Sequence, residues 1–402
     1  MQNKEKFLVL TPRFPFPVIG GDRLRIYFLC KELSKEYDLT LLSLCETQEE
    51  MEMDVSYDKV FSRVERVFLP KWRSYINCLL SLPTKKPLQV AYYHSIHFKN
   101  KIHELLPGHA GGLAHLVRTG GYIKSLDIPK FLEMTDAISM NYERVGKVAK
   151  SSGLKNFVYS IEQKRLKVYE EQIAKDFDCS LLVSQVDKDY LYNPGSSVYS
   201  KVLVCSNGVD TDSMIYELPK KSKQLVFIGN LFSVQNLDAA LWFSNNIMPL
   251  LRRHGDFTFK VIGRIKDKDR QKFSGIDGVV LTGAVDSVVA EARDALAGIC
   301  SVRLGAGVQN KILEYMALGL PAITSSVGLE GLEAKPDKDI LVANAPEEYV
   351  EVILSLAKDY ELTKKISTNG RKYVETYHSW QSRMAPAIDM IGKILKGKKE
   401  LK

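Results

Sequence analysis

The sequence predicts an α/β protein with two domains, each built on a parallel β-sheet that helices cover on both faces. Three observations lead to this prediction. Short apolar runs without polar alternation alternate with amphipathic stretches, which is typical of parallel strands buried between helices. The 402 residues are about two to three times the length of a typical single domain. A loop rich in Pro, Gly and Ser at 193–200 separates two such patterns.

The first half is predicted to form the N-terminal domain, residues 1–197. It opens with a strand, a glycine-containing loop and a helix at about 22–36. A long polar helix is predicted at 155–176. Strands are predicted at 7–12, 39–44, 112–117, 130–135 and 179–184.

The second half repeats the strand and helix alternation and is predicted to form a C-terminal domain at 198–376. Strands are predicted at 224–229, 258–263, 278–283, 297–301, 321–325 and 340–343. Helices are predicted at about 236–251, 268–274, 286–294, 309–318, 346–358 and 360–376. The remaining segment, 377–402, is predicted to be an apolar-periodic helix that packs back on the N-terminal domain and ends in a basic tail.

Composition excludes several classes of protein. With 45% hydrophobic and 26% charged residues the chain is globular rather than disordered or fibrous. The net charge of +8 favours anionic partners such as phosphates or a membrane surface, but does not indicate nucleic-acid binding. The six cysteines form no C-x-x-C pair, which argues against a zinc ribbon or a redox motif. No apolar run approaches the length of a membrane span, so we expect a cytoplasmic protein.

The stretch ICSVRLGAGVQNKILEYMALGLPAITS, at 299–325, carries the strongest functional signal. A strand ends, a loop containing Gly305 and Gly307 follows, and a helix is predicted to start near Gln309. The glycines let the backbone approach a ligand, and the helix start offers N–H donors to a diphosphate.

Two charged residues on that predicted helix add to the candidate ligand site. Lys311 adds a mobile cation to the helix start. Glu314 lies at i+3 from Lys311 and i+4 from Asn310, so the three share a helix face. A carboxylate there can accept hydrogen bonds from the vicinal hydroxyls of a sugar such as ribose. The alternative is an ordinary strand-to-helix crossover, which would not require these residues together.

Two further strand ends carry weaker signals of the same kind. The strand that ends at Gly229 opens into a polar loop whose Asn230 and Gln235 could donate to a phosphate or a sugar. The strand ending at Gly263 is followed directly by Arg264, a suitable phosphate ligand at the carboxyl edge of a sheet.

The first strand is followed by RFPFPVIGGDRLR at 13–25, another candidate anion loop. Gly20 and Gly21 allow tight backbone geometry, Asp22 is predicted to cap the following helix, and arginines lie nearby. A plain strand-to-helix turn is the alternative. The loop lacks the G-x-G-x-x-G spacing, so a dinucleotide site is not predicted.

No metal site is predicted. Asp210-Thr211-Asp212 is a literal D-x-D, but the same short spacing recurs elsewhere in the chain by chance. His94 and His97 have neither a glutamate nor a third ligand at a useful spacing.

These motifs together resemble the group-1 glycosyltransferases of GT-B fold. The resemblance rests on VCSNGVD (204–210), VFIGN, VIGR, LTGAVD and GVQNKILEYMALGLPAITS, with PFPVIGGDRLR in the first half. The last two stretches look most like the exopolysaccharide-associated sugar transferases of that family. The resemblance implies two Rossmann-like domains facing across a cleft, with the acceptor side in the N-terminal domain. It implies a nucleotide sugar bound mainly by the C-terminal domain and metal-independent transfer of the sugar with retention.

Residue by residue, the resemblance assigns the ribose of the nucleotide to Glu314, the second glutamate of an E-x(7)-E motif. Ala306 replaces the first glutamate, so contacts to the transferred sugar must differ here. Asn230 and Gln235 stand where relatives carry Arg and Lys, and diphosphate binding then depends on Arg264, Lys311 and backbone N–H groups.

In the N-terminal domain His115 lies in the strand predicted at 112–117, in a region where relatives often carry a histidine, and Asp136 ends the next strand, near where relatives often carry His or His-Asp. Each could contact the acceptor or the sugar. The alternatives are a satisfied histidine for His115 and a helix N-cap for Asp136. We therefore expect Asp136, His115 and Lys311 to be catalytic. The nucleotide-sugar site is predicted to comprise Gly21, Gly229, Asn230, Arg264, Gly307, Val308, Gln309, Asn310 and Glu314.

The expected activity is transfer of a sugar from a UDP- or GDP-sugar to a hydroxyl of a saccharide or lipid-linked saccharide, without a cofactor. A nucleotide-sugar epimerase of the same fold and a non-catalytic nucleotide-sugar-binding scaffold are the alternatives. Peripheral contact with the inner face of a membrane is a further expectation. LPKWRSYINCLLSL at 69–82 could touch lipid, but we favour a buried core helix for it.

Overall fold

The computed structural model describes residues 4–148, 153–211, 214–304 and 308–400. The chain divides into two compact units. The N-terminal unit comprises Met1–Gly146, Lys150–Ser206 and Gln381–Lys402, and the C-terminal unit comprises Lys147–Ala149 and Asn207–Trp380. Each unit is built on one parallel sheet, so the predicted α/β class with two Rossmann-like domains is confirmed.

The N-terminal unit holds a seven-stranded sheet in the order β3-β2-β1-β4-β5-β6-β7, with every pair parallel. Its strands are β1 (Glu5–Thr11), β2 (Tyr37–Cys45), β3 (Arg63–Phe68), β4 (His109–His115), β5 (Lys130–Thr135), β6 (Cys179–Leu182) and β7 (Val202–Val204). Its helices are α1 (Gly21–Leu33), α2 (Gln48–Glu52), α3 (Lys71–Ser81), α4 (Leu88–Tyr92), α5 (Ile96–Leu105), α6 (Leu116–Gly120), α7 (Ile138–Val148), α8 (Gly153–Ile173) and α9 (Gln185–Leu191).

The C-terminal unit holds a six-stranded parallel sheet in the order β10-β9-β8-β11-β12-β13. Its strands are β8 (Gln224–Ile228), β9 (Thr258–Ile262), β10 (Val279–Gly283), β11 (Ala297–Cys300), β12 (Ala322–Thr324) and β13 (Leu341–Val342). The helices that follow α9 are α10 (Val234–Asn246), α11 (Met248–Leu251), α12 (Asp267–Arg270), α13 (Val288–Ala292), α14 (Asn310–Leu318), α15 (Ser326–Leu329), α16 (Pro346–Lys358), α17 (Tyr360–Tyr377) and α18 (Trp380–Glu400).

The two edge strands of the first sheet, β3 and β7, have no counterpart among the predicted elements. Strand β3 reads RVERVF and is only partly buried, so it lacks the continuous apolar run by which the inner strands were identified. Strand β7 adds three residues to the first sheet beyond the predicted boundary at 197. The structure accordingly divides the chain after Ser206 and again after Trp380, rather than at 197 and 376.

Helix α3 corrects one expectation about packing. The interpretation of 69–82 as a buried core helix is wrong, because Trp72, Leu79 and Leu80 of this segment are largely exposed. No helix among the residues that the structure describes is long and apolar enough to cross a bilayer.

Candidate functional site

The C-terminal sheet has its topological switch point between β8 and β11. From β8 the chain runs outward through β9 and β10, whereas β11 leads to β12 and β13 on the other side. In open α/β sheets, ligands bind beyond the carboxyl ends of the strands at such a point. The predicted binding residues at 229–230 directly follow β8, and those at 308–314 come after β11 and its connecting segment, with α14 starting at Asn310.

Tyr315 ties the carboxyl ends of the two strands together. Its hydroxyl donates to the carbonyl of Ile299 at 3.0 Å and accepts from the N–H of Ile228 at 2.8 Å. The ring lies on Gly298, where an added Cβ would come within 2.1 Å of it. Sequence reasoning missed Tyr315, although a glycine inside a buried strand signals such a close approach.

Glycines bring the loops after β8 and β9 together. Gly263 has a φ of 144°, and a Cβ on it would lie 2.0 Å from the carbonyl oxygen of Gly229. Only glycine fits this position without backbone movement. The N–H of Leu231 donates to the carbonyl of Arg264 at 2.8 Å, which fixes the second loop on the first.

The two polar residues of these loops differ in their contacts. Asn230 shapes its own loop, because its side-chain oxygen accepts from the N–H of Phe232 at 3.1 Å. Arg264 is exposed, and its guanidinium makes no hydrogen bond or ion pair with the residues described. Both side chains are exposed, and among the described residues only that of Asn230 is engaged in a hydrogen bond, so Arg264 is the better candidate to bind an anion.

The start of α14 carries several of the predicted binding residues. Its N-cap is Gln309, which makes no side-chain capping bond. The side chain of Val308 is buried in the core. Asn310 is held in place, since its side-chain oxygen accepts from Nδ2 of Asn207 at 2.6 Å. Gly307 lies outside the described residues, as do Gly305, Ala306 and Asp212.

Lys311 has neutral partners. Its Nζ donates to Oδ1 of Asn236 at 2.9 Å and to Oε1 of Gln309 at 3.3 Å. It also lies 5.3 Å from the centre of the Phe227 ring. Its side chain is buried, yet no carboxylate within the described segments forms an ion pair with it. The positive charge is thus positioned by amide oxygens rather than by an ion pair. Sequence reasoning missed Asn236, which lies on α10 and gives no local signal.

Glu314 lies one helical turn beyond Lys311. Burial raises the pKa of its carboxyl, and the nearby Lys311 lowers it in part. Over the part of the chain that the structure describes, this carboxylate accepts no hydrogen bond and forms no ion pair. The structure therefore brings a cation and an unbonded carboxylate onto one turn of α14.

In the N-terminal unit, His115 belongs to a buried network. Its Nδ1 lies 2.6 Å from Oε2 of Glu133, and Nε of Arg25 donates to the other carboxylate oxygen at 2.5 Å. Burial alone would raise the pKa of Glu133, but Arg25 and then His115 hold it at about 2. A carboxylate only accepts hydrogen bonds, so Nδ1 of His115 carries the hydrogen and the ring orientation is fixed.

Asp136 follows β5, and a cap for α7 is not its role. The N–H of Ala137 donates to Asp187 at 2.9 Å, and the N–H of Ile138 donates to Glu170 at 2.8 Å. Asp136 instead accepts from Nδ2 of Asn141 at 2.7 Å. Burial, followed by the charge of Asp187, raises the pKa of Asp136 to about 7. Its carboxyl can therefore exchange a proton near neutral pH.

The loop at 13–25 differs from its prediction in two respects. Helix α1 begins at Gly21 with Gly20 as its N-cap at a φ of 101°, so Asp22 lies in the first turn and is not the cap. Arg25 is fully buried against Glu133, which leaves it unable to bind an anion in this loop.

A family model described as "Glycosyl transferases group 1" matches residues 222–359. An uncharacterised 44.6 kDa protein from the cps region of Klebsiella pneumoniae is 22% identical over 165 residues, which are 39% of this chain and 42% of that protein. The glycosyltransferase 1 domain-containing protein 1 of Xenopus tropicalis is 29% identical over 112 residues, 27% of this chain and 32% of that protein. The chain aligns with less than half the length of either relative.

Two solved structures resemble almost the whole chain. A sucrose-phosphate synthase from Thermosynechococcus elongatus is 13% identical with a TM-score of 0.74, covering 98% of this chain and 100% of that one. HepE from Anabaena, in complex with UDP and glucose, is 12% identical with a TM-score of 0.69, and the match covers 97% of this chain and 100% of that one. These similarities confirm the GT-B fold, and with the family match they confirm the predicted resemblance to group-1 glycosyltransferases.

Proposed function

We propose that the protein transfers a sugar from a nucleotide diphosphate donor to a hydroxyl acceptor. This proposal starts from the match to the group-1 glycosyltransferase family model and from the GT-B fold. The donor is a UDP- or GDP-sugar, and the acceptor is a saccharide or a lipid-linked saccharide. The observation that carries this proposal is the pairing of Lys311 and Glu314 on the first turns of α14, beside the switch point of the sheet.

In the proposed donor complex, the diphosphate lies at the start of α14. Lys311, Arg264 and the N–H groups at the helix start bind its oxygens, because each offers positive charge or a hydrogen-bond donor, and no carboxylate among the described residues forms an ion pair with either side chain. Glu314 accepts hydrogen bonds from the two ribose hydroxyls. The structure of HepE with UDP and glucose supports a donor of this class.

The same groups would promote the reaction. As the sugar–phosphate bond breaks, negative charge grows on the departing diphosphate while the anomeric carbon becomes cationic. Fixed donors aimed at that diphosphate stabilise the transition state by about 2–4 kcal/mol each. In the proposed reaction a leaving phosphate oxygen takes the acceptor proton on the same face of the sugar. This retains the anomeric configuration and requires neither a metal nor a strong protein base.

The N-terminal unit is proposed to bind the acceptor or the hydroxyls of the transferred sugar through His115 and Asp136. Glu133 fixes the ring of His115 through Nδ1, which makes Nε2 the atom for an incoming hydroxyl. Asp136, with a pKa of about 7, can accept or donate a hydrogen bond to a second hydroxyl. His115 is the last residue of β4 and Asp136 directly follows β5, and these two strands lie side by side.

The biological setting is proposed from a relative. The Klebsiella protein is described as lying in a cps region, which supports a role in polysaccharide or glycoconjugate biosynthesis. Acceptors in such pathways are often carried on lipid, so we propose that the protein works at the inner face of a membrane.

Calorimetric titration with UDP tests the donor site. Glu314→Ala should raise the Kd about 10-fold or more, because a charge-assisted hydrogen bond contributes roughly 1.5–3 kcal/mol. Glu347→Ala is the matched control: it removes an exposed glutamate from the start of α16 in the same unit. An unchanged affinity in Glu314→Ala would remove the ribose assignment.

A non-catalytic nucleotide-sugar-binding protein is the second candidate, because Ala306 and Asn230 replace an acidic and a basic residue of the family pattern. Donor turnover with and without added acceptor separates the candidates. Nucleotide release only with acceptor supports transfer, and saturable binding without turnover supports the binding protein. Isomerisation of the sugar would indicate an epimerase.

A further inference from the structure

Helix α3 differs from an ordinary amphipathic helix, because its buried face is polar and its exposed face is apolar. Ser74 and Ser81, seven residues apart and thus on one face, are its buried residues. Between them, Asn77 donates to the carbonyl of His94 at 2.8 Å. The helix therefore packs on its unit through small and polar side chains.

The opposite face of α3 is apolar and exposed. Trp72, Leu79 and Leu80 are 63%, 65% and 72% exposed, with Ile76 between them in the i, i+4, i+7, i+8 pattern of a single stripe. Tyr75 borders the stripe and is also largely exposed. A contiguous patch of large apolar side chains on a water-facing helix is unusual and marks an interaction surface.

The charged residues in the segment of the chain that contains α3 have one sign. From Arg66 to His103 the chain contains no Asp or Glu. Four exposed basic residues border α3 at both of its ends, and within the described part of the chain none of them forms an ion pair. These residues are Lys71, Arg73, Lys85 and Lys86.

Charge complementarity selects the occupant of the surface. A second copy of the chain would place two sets of unneutralised basic residues against each other, which is unfavourable. The surface of an anionic bilayer can bind both the apolar stripe and the basic residues beside it. Tryptophan and leucine enter the headgroup boundary, while lysine and arginine contact lipid phosphates. We propose that α3 lies in the plane of an anionic membrane with its apolar stripe inserted.

This inference rests on the proposed function in one respect, namely that a lipid-linked acceptor requires the enzyme at a membrane. The inserted helix belongs to the N-terminal unit, to which the acceptor is assigned. Membrane contact can nevertheless be measured independently of sugar transfer and of nucleotide binding.

Flotation of the full chain with vesicles tests the proposal. Vesicles of phosphatidylcholine with phosphatidylglycerol should bind the protein, and vesicles of phosphatidylcholine alone should bind it much more weakly. The double variant Leu79→Ser/Leu80→Ser should weaken binding to the anionic vesicles about 10-fold or more. Lys71→Gln/Arg73→Gln should weaken it roughly 20-fold, and added salt should do the same to the unaltered protein.

Ile215→Ser is the matched control, because Ile215 is 63% exposed but lies in the C-terminal unit. It should leave vesicle binding unchanged. All the substituted side chains face solvent, so circular dichroism should report the same fold for each variant. UDP titration of the same samples separates the two proposals. If an α3 variant loses vesicle binding but keeps UDP binding, the effect concerns membrane contact by α3 and not the donor site.

Three results would overturn the proposal. One is failure of the unaltered chain to float with anionic vesicles, and another is equal flotation of Leu79→Ser/Leu80→Ser. The third is sedimentation showing a dimer that this double variant dissociates, which would identify a second copy as the occupant of the stripe.

Discussion

In the N-terminal unit Arg25, Glu133 and His115 meet in a buried network, whereas in the C-terminal unit Lys311 and Glu314 share a helical turn without an ion pair. Both clusters lie where parallel strands end, and both combine a cation with a carboxylate. In the first cluster the charges neutralise each other. The second holds its cation with amide oxygens and leaves its carboxylate without a hydrogen bond among the described residues.

The difference shows what a polar cluster at a strand end can do. A neutralised network is costly to disturb and orients one group, the imidazole of His115. A cluster without internal neutralisation keeps its electrostatic potential for a ligand, and here the ligand is proposed to be a diphosphate with its ribose. Substitutions in the first cluster should therefore act on stability, and substitutions in the second should act on binding.

The largest effect is expected for Arg25→Met. It leaves the carboxylate of Glu133 buried without its cation, which should lower the free energy of unfolding of the N-terminal unit by about 3–5 kcal/mol. The matched control is Arg23→Met on the same helix, whose partly exposed pair with Glu50 spans 3.4 Å and should contribute less than about 1 kcal/mol. Urea denaturation followed by circular dichroism measures both. Equal, small losses would mean that the network does not stabilise the unit.

A smaller effect, on binding, is expected for Lys311→Met. Removing the cation should weaken the affinity for both UDP and inorganic pyrophosphate about 10- to 100-fold. Glu314→Ala should weaken the affinity for UDP only, because pyrophosphate has no ribose. Lys268→Met, an exposed substitution of the same type on α12, is the control. If both site variants affected the two ligands equally, the separate phosphate and ribose assignments would fail.

The remaining prediction concerns the pH dependence of stability. Burial raises the pKa of Asp136 from 3.8 to about 7 and that of Glu170 from 4.5 to about 8. A carboxyl whose pKa is higher in the folded than in the unfolded chain stabilises the folded state. This contribution is complete at a pH below the unfolded-state pKa, and it is lost as the pH rises through the folded-state pKa. Stability of the N-terminal unit should therefore decline between about pH 4 and 8.

Asp136→Asn should flatten part of that decline in urea titrations at several pH values. Glu133 does not interfere, since its lowered pKa gives a contribution that is present above pH 4.5 and lost only as the pH falls through about 2. A variant with an unchanged pH profile would show that Asp136 ionises as freely in the folded chain as in the unfolded one.

The candidate site was only partly predictable. Lys311, Glu314 and Arg264 could be identified because helix periodicity and strand ends are local patterns. Tyr315 was missed although Gly298, inside a buried strand, signals the close approach of another group. Asn236 gave no local signal, because its partner Lys311 is far away in the sequence. The N-cap interpretation of Asp136 failed for the same reason, since distant carboxylates accept the N–H groups at the start of α7.

What the sequence by itself determined is the pattern of buried strands, the two-sheet architecture and the start of α14 after a glycine-containing segment. These follow from apolar periodicity and glycine placement, which depend on residues close together in the chain. Only the tertiary structure decided which charges are neutralised and which face of α3 meets water. Both depend on neighbours from other elements, because electrostatic pairing and solvent exposure are properties of the packed chain rather than of any one segment.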